Sequence, residues 1–314
     1  MKTINNLVKK IHRLNDILFG GKVIAWGIFF FQRMFLSGRS RTYLLRILLL
    51  YNRILGRHMA TTTAKNDIRV SELQSSGFLF LPDFLNKSQI NEIVTDLETK
   101  MVHDPYKDPN LFFPIPSGKD PQEFHVAFHK DIDVIGAPHL MSLANHPEIL
   151  AISEGFLGVK PTISHMSAWW SFATNHEALQ AENFHRDVDG ITFLKFFCFL
   201  TDVDEQNGPH IYVPSSANSP KFRDSIRRYS DQEVIDEFGS NSIKEIIGPA
   251  GTIFMEDTFG LHKAKKLKSG RRLVFQVIYS TGKLPYSPVC PIFNSSNLSN
   301  KVDYDLWTNR LYIS

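Results

Sequence analysis

The sequence predicts a mainly β protein, a sandwich or barrel with flanking helices. Three observations point there. From residue 162 onward, short runs rich in aromatic and β-branched residues recur at 162–172, 182–187, 192–200, 210–213, 242–246, 251–255 and 271–279. Gly, Pro and Asn turns separate these runs, a pattern that fits a sandwich or barrel and not βαβ units. Phe is abundant, with 25 in 314 residues, which suits strands that pack broad rings into a core. With 43% hydrophobic and 21% charged residues, the chain can bury one large core or two small ones and is no disordered polyelectrolyte. No internal repeat of fixed period is present.

The chain divides into a basic segment (1–58), a linker (59–73), a β domain (74–282) and a C-terminal extension (283–314). Residues 1–58 carry eleven Lys/Arg and a single acid, Asp16, leaving 24 basic and 31 acidic residues for the remainder. The pI near 8.7 therefore belongs to the tail. The acidic body is a poor partner for nucleic acid. Around 17–36 the segment is apolar but interrupted by Lys22, Gln32 and Arg33, too weak a signal for a span, and no cleavage site follows it. Between 40 and 55, Arg39, Arg46 and Arg53 recur every seven residues on one helical face, with Leu44, Leu45, Leu48, Leu49 and Ile54 filling much of the rest. Such a helix contacts a membrane surface through residues 1–58, docks on the protein's own surface or stays disordered, and a true span is the least favoured alternative. Met59 opens a polar run that reads as a linker or as an alternative start. Cys198 and Cys290 are too few for a disulfide framework or a zinc site, and Cys198 reads as a buried small hydrophobe. The expected location is cytoplasmic, with membrane association through the basic segment as the open alternative.

In the body, residues 77–82 read as a short strand closed by Pro82. Ser88 then serves as cap for a helix built on Ile90, Ile93, Val94 and Leu97. Residues 103–123 read as a loop. Pro147 opens a second helix that Gly158 stops. A helical stretch interrupts the strands at 219–239, and the polar, proline-bearing tail from Gly282 is expected to wrap over the surface.

His185 and Asp187 form a His-x-Asp pair within the predicted strand 182–187. Residues i and i+2 of a strand share a face, so imidazole and carboxylate converge. A second His from a distant strand would complete two imidazoles and a carboxylate on one face of a metal, leaving positions open, the arrangement suited to iron(II) oxygenases. His-x-Asp alone is a weak signal, and His129 with Asp131 forms a second pair. The downstream residues decide between them. After Asp131 the chain turns toward a helix, whereas after Asp187 come the strands that carry the rest of the site. His262 is the candidate distal ligand, read against a surface histidine in a lysine-rich loop.

Ten residues on, Arg272 begins a face with Val274, Gln276 and Ile278. A guanidinium aimed into a barrel mouth needs an anion, because unpaired buried charge is costly. The distal carboxylate of 2-oxoglutarate, held bidentately, is one partner, and a local acid, Glu256 or Asp257, is the other. Arg271 faces solvent. Lys195 shares a face with Phe197 and Phe199. It either touches a cosubstrate or substrate anion or snorkels to the strand end.

Taken together, residues 77–85 (Gly-Phe-Leu-Phe-Leu-Pro-Asp-Phe-Leu), 184–187 (Phe-His-Arg-Asp), 202–215 (with Gly-Pro-His-Ile-Tyr-Val-Pro-Ser), 251–257, and His262 to Arg272 with Tyr279 make a pattern. It resembles the phytanoyl-CoA dioxygenase family of iron(II)/2-oxoglutarate oxygenases over roughly residues 70–282. The resemblance implies a double-stranded β-helix (jelly-roll, cupin-like) core. It also implies iron(II) held by His185, Asp187 and His262, 2-oxoglutarate anchored by Arg272, O2 as co-reactant, and release of succinate and CO2. The chain departs from the family at Pro214 to Ala217, where Gly-Ser-His is usual, and in a His-to-Arg interval one residue shorter. Related halogenases lack the metal carboxylate. Asp187 is present, so hydroxylation of a small-molecule substrate, or of one linked to lipid or glycan, is expected. Two other readings stay open: a catalytically silent binding module, and a cupin-like metal isomerase or lyase, for which Arg272 would have no purpose.

Overall fold

A computed structural model describes residues 23–54, 59–108, 110–115, 124–175, 177–223, 227–293 and 304–314. Residues 1–22 and 55–58 of the basic segment, and parts of the predicted loops, lie outside the described residues. Among the described residues, strands β1 (Phe78–Leu81), β9 (Ile253–Glu256), β6 (Phe193–Phe199), β11 (Arg271–Ser280), β5 (Thr162–Phe172), β4 (Val126–His129), β2 (Met101–His103) and β3 (Phe112–Pro114) form one sheet, in that spatial order. Strands β10 (His262–Ala264), β7 (His210–Tyr212) and β8 (Lys244–Ile246) form a second. Every pairing is antiparallel. From β5 onward the chain shuttles between the sheets. Strands β5, β6, β9 and β11 lie in the large sheet. Strands β7, β8 and β10 lie in the small one, which an isolated bridge between His185 and His262 extends. This alternation is the winding of a double-stranded β-helix.

Period-two alternation sorts the side chains. In β6 and β11, Leu194, Phe196 and Cys198 with Leu273, Phe275 and Val277 join the core that packs under helices Lys87–Glu98 and Pro147–Leu157. The opposite faces send Phe197, Phe199 and Val274 between the sheets, where Phe254, Tyr212 and Ile246 meet them. The helices have readable ends. Pro147 occupies the first turn, and Gly158 ends its helix at φ 75°, a left-handed conformation that glycine adopts without penalty.

Several elements differ from expectation. The helix cap is Asn86, not Ser88. Asn86 and Gln89 form a reciprocal capping box that satisfies two backbone N–H groups. Residues 59–73, expected as a linker, include two short helices, Thr62–Lys65 and Ile68–Ser76, capped by Thr61 and Asp67. They press on Gly155, where an added Cβ would lie 2.3 Å from the Ala64 carbonyl oxygen. The expected loop 103–123 starts within β2 and contains β3, strands too short for periodicity to show. The expected strand 182–187 is reduced to a 3-10 turn and two isolated bridges, because the following Asp-Val-Asp-Gly sequence turns away.

The tail does not simply lie on the surface. Tyr312 is fully buried in the main core, and its hydroxyl accepts a hydrogen bond from the Met166 N–H at 2.7 Å. Tyr312→Ala is expected to lower stability by about 3–5 kcal/mol, the cost of an emptied aromatic site. The measurement is the urea midpoint at unchanged m-value. A change below about 0.5 kcal/mol would mark the tail as superficial.

Candidate metal centre

His185 and His262 reach one another through the backbone. The His185 N–H donates to the His262 carbonyl at 3.0 Å, and the His262 N–H returns the bond at 3.1 Å. Asp187 is fixed next door by its N–H to the Thr258 carbonyl at 2.8 Å. His185, Asp187 and His262 each offer one ligand atom, and these atoms lie within 4.8 Å of one another. The His-x-Asp pair thus converges with the predicted distal histidine.

The imidazoles are oriented by their own chain. His185 Nδ1 lies 2.9 Å from the Asn183 carbonyl oxygen, and His262 Nδ1 lies 3.0 Å from that of Gly260. A carbonyl oxygen only accepts, so Nδ1 carries a proton on each ring, and in the neutral His185 ring the Nε2 lone pair turns inward. There His185 Nε2 faces Asp187 Oδ1 at 3.6 Å, and His262 Nε2 faces Oδ2 at 3.3 Å. Burial and the neighbouring His262 hold the His185 pKa well below the usual range, which keeps its ring neutral. Burial raises the Asp187 carboxyl, but Lys195 and His262 outweigh it and leave Asp187 well below the usual carboxylate range. An imidazole lone pair and an ionised carboxylate gathered in one place are what a cation neutralises. Two imidazoles and a carboxylate with open positions fit a divalent first-row metal.

The other predicted residues line the same cavity, of about 220 Å³. Arg272, Val274 and Gln276 face it from β11, as the alternation predicts. Arg271 points the other way, to an ion pair with Glu98 at 2.6 Å. Arg272 is 3% exposed. Its Nε and Nη1 groups find no hydrogen-bond partner, and Nη2 has only Ser171 Oγ at 3.5 Å. Burial lowers its pKa to about 10, which leaves it charged at neutral pH. Neither Glu256 nor Asp257 pairs with it. Lys195 is also on the wall, but its ammonium sits between Asp187 (2.6 Å) and Asp189 (3.0 Å). The chain's own carboxylates therefore hold it, and it does not snorkel.

The rival His-x-Asp pair comes apart. His129 is buried on β4, while Asp131 opens helix Asp131–Gly136 and lies 3.7 Å from His165.

Sequence reasoning missed a buried pair beside the centre. Glu256 ends the apolar strand β9, and its Oε2 lies 2.8 Å from His210 Nε2. Burial pushes the Glu256 carboxyl up to about 8, while burial and the nearby Arg272 push His210 down to about 3. At neutral pH the pair holds one proton, on Glu256. A carboxylate closing an otherwise apolar run, with a histidine inside Pro-His-Ile-Tyr, was the available signal.

No protein-family model and no curated protein matches the chain. Solved structures resemble the chain in part at low identity. The chain is 14% identical to EctD from S. alaskensis with 2-oxoglutarate and 5-hydroxyectoine, covering 71% of this chain and 79% of that one at a TM-score of 0.49. It is 17% identical to SnoN, a non-heme alpha ketoglutarate dependent epimerase from nogalamycin biosynthesis (68% and 82%, TM-score 0.48). It is 14% identical to HygX from Streptomyces hygroscopicus with nickel, 2-oxoglutarate and hygromycin B bound (78% and 97%, TM-score 0.46). At these scores the likeness carries no chemistry to this chain.

The Glu256 proton gives a signed prediction for metal-free protein. The folded state keeps a proton that the unfolded chain releases near 4.5, so stability falls as pH rises from about 4.5 through 8. Glu256→Gln keeps the bond to His210 and cannot ionise. Relative to wild type, it should gain at least about 1 kcal/mol between pH 5 and pH 9, read from urea midpoints. Parallel pH profiles for the two proteins would show that Glu256 is ionised throughout.

Proposed function

We propose that this chain is an iron(II)- and 2-oxoglutarate-dependent oxygenase that hydroxylates a small molecule or a lipid- or glycan-linked substrate. The observation that carries the reading is Arg272. A buried guanidinium with two unmatched N–H groups faces the cavity that holds the three ligand atoms. A charge so placed is costly unless an anion meets it. A dicarboxylate fits, with one end at the metal and the other on Arg272. His185, Asp187 and His262 would hold the metal. When bound, iron with 2-oxoglutarate and O2 supplies oxidative decarboxylation to succinate and CO2, with transfer of an oxygen atom into a substrate C–H bond.

The remaining steps belong to the chain. Arg272 fixes the distal carboxylate, and the Ser171 hydroxyl beside it is available as a second donor. Lys195 acts as a positioning residue. By neutralising Asp187 and Asp189 it holds the metal carboxylate in place, so contact with the cosubstrate falls to Arg272 and not to Lys195. Phe197, Phe199 and Phe254 line the inner wall and exclude water, while Phe128 and Trp169 stack at 5.2 Å along another side. That wall suits a substrate with apolar or flat surface. The motifs that resemble the phytanoyl-CoA dioxygenase family, 184–187 and His262 to Arg272, come together at this one cavity, which supports membership of that family. The presence of Asp187 favours hydroxylation. A metal isomerase or lyase has no use for the unmatched guanidinium, and a silent module has none for the complete ligand set.

Iron-reconstituted protein should bind 2-oxoglutarate and release succinate on exposure to O2, with His185→Ala inactive. Arg272→Gln should weaken 2-oxoglutarate binding by roughly 30-fold or more, the cost of removing one member of a buried charge pair. Wild-type protein that neither binds 2-oxoglutarate in the presence of iron nor forms succinate would overturn the assignment.

A further inference from the structure

Helices Val23–Gln32 and Gly38–Ile54 each have a docked face and a face left in solvent. The docked side of the second is well anchored. Leu49 packs so closely on Gly158 that an added Cβ there would lie 3.2 Å from it, and Asn52 is buried. Arg41 donates to the carbonyls of Gly190 (2.9 Å) and Ile191 (2.8 Å) and lies 4.0 Å from the Phe259 ring centroid. The outward side is apolar. Tyr43, Ile47, Leu50 and Ile54 are each more than half exposed, and their spacing of four, three and four aligns them in one ridge. On the first helix, Ile24, Ile28 and Phe31 repeat the pattern at four and three, also exposed.

This ridge is flanked by cations. Arg39, Arg46 and Arg53 are exposed and run along one border of it, and neither helix contains an Asp or Glu. Residues 1–22 add five Lys/Arg and one Asp to the same end of the chain. We infer that the outer face of these two helices is a docking surface for an anionic lipid bilayer, with the apolar ridge entering the headgroup boundary and the arginines pairing with phosphate or carboxylate headgroups. Among the described residues no helix is long and apolar enough to cross a membrane, so the chain lies on the bilayer. The charge selects this occupant: an apolar ridge bordered by cations alone matches an anionic, apolar-cored surface. The inner face is already committed to the body, so docking requires no unfolding of either helix.

The test is sedimentation of full-length protein with vesicles of phosphatidylcholine alone and with vesicles in which about a third of the lipid is phosphatidylserine. The expected result is binding to the anionic vesicles that weakens as salt is raised. Combined substitution of Arg39, Arg46 and Arg53 by Gln should weaken it roughly 100-fold, and Ile47→Glu with Leu50→Glu by more than about 10-fold. Because these side chains are exposed, both variants should keep the wild-type melting temperature, which separates lost docking from lost folding. Failure of the wild type to bind either vesicle overturns the proposal, as does binding that both variants leave unchanged. It is equally overturned if wild type ignores lipid but self-associates, and Ile47→Glu with Leu50→Glu renders it monomeric. The ridge would then be a contact between copies of this chain.

Discussion

Two backbone hydrogen bonds between His185 and His262 set the geometry on which the rest of the centre depends. They tie the segment after β5 to β10, 77 positions later in sequence, and so bring the His-x-Asp pair to the distal histidine. Side chains then need little freedom. Each imidazole is clamped by a carbonyl two residues before it, and Asp187 is clamped by the Thr258 carbonyl and by Lys195. A ligand set held this way is in place before any metal arrives, which limits the conformational entropy lost on binding. The large sheet supplies the floor, because β6 and β11 send alternate residues to the cavity and to the helix-packed core.

Electrostatics divides the cavity into two ends. At one, Lys195 lies between Asp187 and Asp189, whose ion pairs outweigh burial and raise its pKa, so the ammonium is matched by the chain's own carboxylates. At the other, Arg272 has a long contact to Ser171 and the electrostatic influence of Glu182, with its Nε and Nη1 groups unmatched. Glu256, the acid that could have neutralised the cavity from below, is held protonated by burial and spends its proton on His210. A buried cation left so incompletely solvated costs stability; the proposed 2-oxoglutarate carboxylate would compensate it.

Much of this was legible in the sequence because it rests on period-two alternation. Lys195 with Phe197 and Phe199, and Arg272 with Val274 and Gln276, share faces as the spacing requires, and Arg271 faces out. His185 and Asp187 converge, although the residues between 182 and 187 do not form the strand that justified the expectation. The bridge to His262 takes the place of a strand, and tertiary pairing of this kind leaves no local trace. The short strands β2, β3 and β4 were hidden for a related reason: three or four residues are too few to show a period. Tyr312 was hidden by its polar surroundings, and the Asn86 cap by a neighbouring serine that fits the same rule. Lys195 shows the other limit. Its face could be read, but whether its partner was a ligand or an acid of the chain depended on where Asp189 falls in space.

The same limit applies to the N-terminal helices, whose sequence admitted both a membrane surface and the protein's own surface. These alternatives belong to opposite faces of one helix. Arg41, on the inner face, and Gln32 of the preceding helix, whose Nε2 donates to the Val188 carbonyl at 2.7 Å, grip residues 188–191 directly after Asp187. Arg41 also donates to Gln32 Oε1 at 3.1 Å, which joins the two helices at the point of grip. A chain starting at Met59 would lack every one of these bonds. Residues 188–191 would then keep the Lys195 pair to Asp189 but lose these backbone anchors. The helices that carry the exposed apolar ridge are thus the ones that brace the candidate metal centre, the docked face of one amphipathic pattern whose outer face is the proposed bilayer surface.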